Sequence, residues 1–172
     1  MSCRAPFLIV IMWLLAGMLP SYAQERESEL KGAFIYNFVK FTQWQDRVDT
    51  NSTINVCASP ESALYDALQR AENRPGRGRE IVVVPLMNAG LGDCHVVVVT
   101  YEDNRKLAHI RRLLSSGPVL GVTDDPTALP GEMIIVMSMD RSRVVFSVNN
   151  TRAVSLGLSI SSRLLRLARS VQ

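Results

Sequence analysis

Apolar residues recur along the chain at helical spacing in four segments. In the first of them, Leu30, Phe34, Phe38 and Phe41 lie three or four positions apart, which predicts a helix over residues 28–44 with Ser28 as its cap. The same spacing predicts a helix over residues 61–73. It also predicts helices that begin with Asp103 and Thr151 as caps and end near residues 114 and 170.

Short runs rich in β-branched residues predict strands between these helices. The strongest run, residues 94–101, contains four consecutive valines and favours a strand at the centre of a sheet. A turn at residues 140–142 separates two further strands, so that residues 133–149 are predicted to form a hairpin. The other predicted strands are residues 53–59, 81–86 and 119–123.

Helices and strands therefore alternate along most of the chain, in the predicted order α-β-α-β-β-α-β-β-β-α. This alternation is typical of α/β proteins. We predict a single layered domain with a mixed, mostly parallel sheet, helices on both faces and a late antiparallel hairpin. The length of 172 residues fits one domain.

The first residues differ in character from the rest. Arg4 precedes an uncharged, mostly apolar run over residues 7–19, and small residues follow at Ser21 and Ala23. This pattern predicts a secretory signal peptide over residues 1–23 and a folded domain over residues 24–172. An uncleaved anchor is the alternative, although a membrane-spanning helix needs about 20 apolar residues. Cleavage removes one arginine and no acid, which lowers the net charge from +3 to +2 and weakens any case for nucleic-acid binding.

Cleavage also removes Cys3 and leaves Cys57 and Cys94 as the cysteines of the exported chain. An isolated pair in an oxidising compartment favours a disulfide, and two buried thiols are the alternative. Bonded cysteines have Cα atoms within about 7 Å of each other. A disulfide would therefore make the segments around Cys57 and Cys94 neighbours.

Residues with reactive side chains do not form a catalytic pattern in the sequence. His95 and His109 have no cysteine or carboxylate at metal-ligand spacing. Neither a glycine-rich phosphate loop nor a nucleophile elbow is present. Asp124 and Asp125 follow a predicted parallel strand, where α/β proteins bind ligands, but such a pair before a proline is more often a turn. We therefore expect no enzyme activity, no metal and no cofactor.

Two arginine-rich segments are candidate binding surfaces. Residues 74–79 hold three arginines, which we interpret as a solvated loop because export makes nucleic acid an unexpected partner. Arg163, Arg166 and Arg169 recur every third residue of the predicted last helix and form a basic stripe. The stripe either docks a partner or an anionic membrane, or only complements the negative end of the helix dipole.

The first predicted helix carries aromatic residues away from its apolar face. Tyr36, Asn37, Lys40 and Trp44 lie off the phenylalanine stripe or at its end. Tyrosine and tryptophan are enriched where proteins contact each other. These four residues are therefore candidates for a partner interface.

Several segments together resemble the YfiR-like family of periplasmic proteins. Residues 29–41 with Trp44 resemble the family's opening signature, and residues 161–168 resemble its closing one. Between them, similar segments lie at residues 94–96, 118–124, 131–134 and 144–149. There are two departures: Glu132 stands where the family usually has a glycine, and the second cysteine pair of some members is absent.

The resemblance implies a non-enzymatic regulator. The best-known members bind the periplasmic part of an inner-membrane diguanylate cyclase and hold it inactive, which lowers cyclic di-GMP and biofilm formation, and members form dimers. We therefore expect a periplasmic homodimer with such a cyclase as its partner. The residues expected to contact the partner are Tyr36, Asn37, Lys40, Trp44, Ser162, Arg163 and Arg166.

Two other functions stay open from the sequence. One is a periplasmic module that binds an unknown small ligand and signals through another membrane receptor. The other is a secreted hydrolase that uses Asp124 or Asp125.

Overall fold

The computed structural model describes residues 19–45, 53–72 and 80–172, with side chains from residue 23 onward. The strands are β1 (Thr42–Trp44), β2 (Ile54–Ala58), β3 (Ile81–Pro85), β4 (Val96–Val99), β5 (Leu120–Thr123), β6 (Ile135–Asp140), β7 (Arg143–Val148), β8 (Leu158–Ile160) and β9 (Ser170–Val171). The α-helices are α1 (Leu19–Lys40), α2 (Ala63–Glu72), α3 (Leu107–Leu114), α4 (Asn150–Ser155) and α5 (Ser162–Leu165). Two 3₁₀ turns cover Leu86–Asn88 and Tyr101–Arg105.

A seven-stranded sheet forms the centre of the fold, in the order β3-β2-β4-β5-β6-β7-β9. Strands β2 to β6 are parallel to one another, and β7 runs antiparallel to β6. All four valines of β4 are buried, as expected of a parallel strand covered on both faces. The predicted fold class, a mixed and mostly parallel sheet with a late hairpin, is confirmed.

The chain reverses its direction across the sheet after β3. It passes from β2 to β3 at the edge and then returns across β2 to β4 through residues 86–95, which hold a 3₁₀ turn but no α-helix. Connections between parallel strands usually contain an α-helix and a dozen or more residues. A disulfide between Cys57 and Cys94, whose Cα atoms are 5.8 Å apart, joins this short connection to β2. The predicted disulfide and the predicted proximity of the two segments are confirmed.

Two apolar cores lie on opposite faces of the sheet, because alternate residues of each strand point to opposite sides. In β4, Val96 and Val98 enter the first core, whereas Val97 and Val99 enter the second. Side chains of α1 and α2 fill much of the first core, which includes Ile35, Phe38, Val39, Leu64, Leu68, Val56, Leu120, Val122, Ile135 and Met137. Side chains of α3 and of residues 86–94 fill much of the second, which includes Ile110, Leu113, Leu114, Leu86, Ala89, Cys57, Cys94, Leu129 and Met133.

The predicted hairpin near the end of the chain is confirmed. Its strands β6 and β7 pair from Ile135 opposite Val148 to Asp140 opposite Arg143. Arg141 and Ser142 form the two-residue turn with φ angles of 47° and 65°. Positive φ at both positions is what a turn matched to the twist of a hairpin requires.

The predicted helix over residues 151–170 is wrong. Helix α4 ends at Ser155, and Gly157 adopts a φ of 73°, a left-handed conformation that glycine tolerates and that ends helices. Strand β8 begins next, with Leu158 and Ile160 buried and Ser159 between them partly exposed. This alternation belongs to a strand, because the segment pairs with β1 instead of continuing the helix.

The predicted helix caps are also corrected. Helix α1 begins at Leu19, so Ser28 is a buried residue within it, and it ends at Lys40, so residues 42–44 are a strand. Asn149 caps α4 in place of Thr151, with its side chain accepting a hydrogen bond from Arg152 N at 2.9 Å. Thr100 caps the 3₁₀ turn before α3. Asp103 is the N3 residue of the same turn, and its side chain accepts a hydrogen bond from the backbone N of Thr100, which completes a capping box.

Two predictions fall on residues outside the described ranges. They are the arginine loop at residues 74–79 and the first 18 residues of the signal peptide. Within the described ranges, none of the helices combines the length and the apolar character that crossing a membrane requires.

Candidate functional site

The expected partner-binding residues come from two distant parts of the chain, and the structure brings these parts together. Strands β1 and β8 form a two-stranded antiparallel ribbon in which Thr42 lies opposite Ile160 and Trp44 opposite Leu158. Ser161 N donates a hydrogen bond to the carbonyl oxygen of Phe41 at 2.9 Å. The end of α1 and the start of α5 are therefore adjacent.

One side of this ribbon is buried in the first core. Thr42, Trp44, Leu158 and Ile160 point inward, and the Thr42 hydroxyl donates to the carbonyl of Phe38 at 2.7 Å. Trp44 is only 3% exposed, and its ring packs edge-on against His95 with centroids 6.2 Å apart. The expectation that Trp44 contacts a partner is corrected by this burial, since its side chain supports the ribbon from inside.

The other side of the ribbon carries an open groove of about 290 Å³. We call it the ribbon groove. Its lining residues are Lys40, Phe41, Gln43, Ser159 and Ser161. The sequence does not single out Gln43, Ser159 and Ser161, because the spacing of apolar residues predicts helices over both of their segments. The alternation of buried Leu158 and Ile160 with polar serines was the signal that could have revealed them.

One cationic residue, Lys40, lines the ribbon groove, and two more, Arg163 and Arg166, follow Ser161 of the lining in or directly after α5. Lys40, Arg163 and Arg166 are exposed, and no carboxylate among the described residues lies within 4 Å of their charged groups. We call these three residues the cationic rim. Arg169, which the sequence placed on the same stripe, instead pairs with Asp140 at 2.5 Å and belongs to another part of the surface.

The remaining expected residues, Tyr36, Asn37 and Ser162, are absent from the lining of the groove. Asn37 and Ser162 are exposed, whereas Tyr36 is partly buried. Ser162 is the first residue of α5, and Ser161 caps this short helix by accepting a hydrogen bond from Arg163 N at 3.2 Å.

A second cleft lies at the carboxyl ends of the parallel strands. It has a volume of about 140 Å³, and its walls include Ser62, Thr100, Asp124 and Lys31. The strand order reverses between β2 and β4 at this edge, which is where open α/β sheets bind ligands. The cleft is small and polar, so it suits a compact polar ligand.

Lys31 is the charged centre of this second cleft. Its ammonium group lies 2.7 Å from Asp124 Oδ2 and 2.6 Å from Glu27 Oε1. Burial alone would lower the pKa of Lys31, but the hydrogen bonds to Asp124 and Glu27 outweigh it and raise the pKa. The lysine is therefore charged at neutral pH, and it attaches α1 to the segment after β5.

Comparison with known proteins identifies the relatives of this chain. A family model described as YfiR/HmsC-like matches residues 28–169. The chain belongs to the YfiR/HmsC-like family. No curated protein matches the chain.

Among solved structures, a conserved domain protein from Vibrio cholerae O1 biovar El Tor is similar to this YfiR/HmsC-like chain, with a TM-score of 0.57 and 13% sequence identity. The likeness covers 84% of this chain and 60% of that one, so this chain spans less than two thirds of the length of its structural neighbour. At this identity, the similarity supports the fold alone.

Two buried acidic residues of this YfiR/HmsC-like chain, Asp103 and Asp125, accept hydrogen bonds from neighbouring side chains. Asp125 is 8% exposed, and its Oδ1 accepts hydrogen bonds from the backbone N and the hydroxyl of Thr127 at 2.8 and 2.6 Å, as in a turn. Asp103 is fully buried and accepts from Ser59 Oγ, which in turn accepts from Lys106 Nζ at 2.8 Å. Within the described part of the chain, no three metal-binding side chains are grouped together.

Proposed function

We propose that this protein is an exported periplasmic regulator that binds the periplasmic sensor part of an inner-membrane diguanylate cyclase and keeps the enzyme inactive. In this proposal, residues 1–23 are the cleaved signal peptide and residues 24–172 are the regulatory domain, which acts as a homodimer. Binding lowers cyclic di-GMP inside the cell and reduces biofilm formation.

The match to the YfiR/HmsC-like family is the observation that carries this proposal, because it covers residues 28–169 and includes both ends of the ribbon groove. The disulfide between Cys57 and Cys94 supports the periplasmic location, since such bonds persist in oxidising compartments. The exposed groove supports a role in binding, because it is lined by side chains from opposite ends of the chain that would meet only in the folded domain.

The regulatory mechanism is a shift between two conformations of the cyclase. A regulator changes this equilibrium only by the difference in its affinity for the two forms. To take the cyclase from 1% inactive to 99% inactive, the regulator must prefer the inactive form by about 10,000-fold. The exposed side of the ribbon suits this task, because the opposite side is buried in the core and holds it in place. A rigidly supported surface fits one partner conformation better than another.

Deletion of the gene tests this function. We expect cyclic di-GMP, measured by mass spectrometry of cell extracts, to rise in the deletion strain and to return to its original level when the full chain is supplied. A chain that lacks residues 2–23 should fail to restore it, because it would not be exported. Unchanged cyclic di-GMP in a strain that normally expresses the protein would contradict the proposal.

A second candidate function is a periplasmic module that binds a small polar ligand and signals through another membrane receptor. The cleft around Lys31 favours it, because this cleft lies where the strand order of the sheet reverses. The two functions are distinguished by the deletion strain and by the neighbouring gene. A membrane receptor without a cyclase domain beside this gene, together with unchanged cyclic di-GMP, would favour the ligand-binding module.

A further inference from the structure

The ribbon groove is an exposed concave surface on a rigid support. Its floor is the outer side of the β1–β8 ribbon, where Gln43 lies opposite Ser159. The inner side of the same ribbon is closed by buried Thr42, Trp44, Leu158 and Ile160. At about 290 Å³, the groove lies just below the range of about 300–1,000 Å³ found for ligand pockets. It is large enough for a few side chains of a segment, but not for a whole domain.

The chemistry of the groove floor fits a peptide backbone. Gln43 offers an amide, and Ser159 and Ser161 offer hydroxyls, whereas Phe41 also packs against the first core. These polar groups both donate and accept hydrogen bonds, as the N–H and C=O groups of an extended peptide require. The lining includes no carboxylate.

The charge of the rim determines which peptides the groove favours. Lys40, Arg163 and Arg166 have no acidic partner among the described residues. Other exposed arginines, such as Arg112, have none either, so the rim is distinguished by its position: Lys40 lines the groove, and the helix that carries Arg163 begins directly after Ser161 of the lining. Unneutralised charges of one sign attract a partner of the opposite sign and accelerate its association.

We propose that the ribbon groove and the cationic rim bind an extended acidic segment of a partner protein. This inference rests on the proposed function, and it assigns the acidic segment to the periplasmic part of the cyclase. The backbone of the segment lies along the ribbon, and its carboxylates contact Lys40, Arg163 and Arg166. An anionic membrane is the competing occupant, because Leu167 is 71% exposed directly after Arg166.

The test measures binding of the full exported chain to the purified periplasmic domain of the cyclase encoded in the same genome. A triple variant, Lys40→Glu, Arg163→Glu and Arg166→Glu, should weaken binding by at least about tenfold, mainly through slower association. A matched triple variant, Arg105→Glu, Arg112→Glu and Arg141→Glu, changes the net charge equally at exposed positions elsewhere. It should bind nearly as tightly as the unmodified chain.

Salt dependence provides a measurement that needs no variant. Raising the salt concentration from about 0.05 M to about 0.5 M should weaken binding of the unmodified chain, because exposed charges are screened over shorter distances. The rim variant should lose much less affinity over the same range.

Three outcomes would overturn the inference in distinguishable ways. Equal affinity of the rim variant and the unmodified chain would rule out binding of an acidic segment by the rim, but it would not contradict the proposed function. No binding of the unmodified chain to the cyclase domain would remove the proposed function and the inference with it. Sedimentation with phosphatidylglycerol vesicles that the rim variant loses, without any effect of the variant on the cyclase domain, would assign the rim to a membrane surface.

Discussion

The two faces of the central sheet are covered by different means. On the first face, α1 and α2 lie against the sheet, and the phenylalanines of α1 pack with Phe146 of β7. On the second face, the cover includes the eight-residue helix α3 and the connection over residues 86–95, which the disulfide attaches to β2.

This difference indicates how each face is stabilised. A long helix buries a continuous apolar stripe and needs no covalent link. A ten-residue connection with one 3₁₀ turn buries fewer side chains, so a covalent bond to the sheet has more to contribute there. The stability of the first face should therefore depend on side-chain packing, and that of the second on the Cys57–Cys94 bond.

Truncation of Phe38 should have the largest effect, because it removes the centre of the first core. Phe38 is fully buried, and its ring centroid lies 4.9 Å from that of Phe146. We expect Phe38→Ala to lower the free energy of unfolding by about 3–5 kcal/mol, measured by urea denaturation. The loss should be the same with and without reductant, since the disulfide lies on the other face. A loss below about 1 kcal/mol would show that the first face does not depend on this packing.

Removal of the disulfide should have the next largest effect. The bond spans 37 positions of the sequence, and disulfides typically contribute about 2–4 kcal/mol. We expect the double variant Cys57→Ala, Cys94→Ala to lose a free energy of unfolding in this range. Reductant should destabilise the unmodified chain by a similar amount and leave the double variant unaffected.

Thiol alkylation of the exported chain under denaturing, non-reducing conditions checks the same bond directly. We expect no reactive thiol, because Cys57 and Cys94 are bonded to each other. Two alkylated cysteines per chain would show that the bond is absent and would contradict its role in stabilising the second face.

Glycine substitutions should have the smallest effects, with opposite signs on the two faces. A Cβ atom at Gly121 would lie 3.0 Å from Leu114 Cδ2 and 3.3 Å from Met133 Cε in the second core, so Gly121→Ala should destabilise by about 1 kcal/mol. A Cβ atom at Gly32 in α1 would lie 3.4 Å from Ala67 Cβ, an ordinary contact. Gly32→Ala should therefore stabilise by up to about 1 kcal/mol through helix propensity. Thermal denaturation of both variants checks the signs, and equal signs would refute the difference in packing.

Much of the fold could be predicted from local patterns. The consecutive valines of β4 and the turn between β6 and β7 are local features that residue types and their spacing indicate. The last predicted helix failed because its apolar and basic spacing also fits a different division of the segment. Gly157 interrupts the helix, and Leu158 and Ile160 gain burial by pairing with β1, which no local pattern could indicate.

The candidate site was predicted only in pieces. Lys40 and Arg163 were singled out separately, each from its own segment, and nothing in the sequence placed them beside one groove. Trp44 is a candidate interface residue by its type alone, since tryptophan is common in interfaces, but the ribbon turns its side chain into the core. Gln43 and Ser159 were missed because their orientation depends on the pairing of β1 with β8.

The fold class and the resemblance to a family follow from residue types and their spacing along the chain. The sequence favoured a bond between Cys57 and Cys94, and the structure shows it. The tertiary structure alone decided which side chains share a surface. Strands β1 and β8 lie near opposite ends of the chain, and each has only three residues, too few for a recognisable strand pattern in the sequence. The groove lies on the outer side of their ribbon, and the ribbon is held in place because Trp44, Leu158 and Ile160 are buried in the same core.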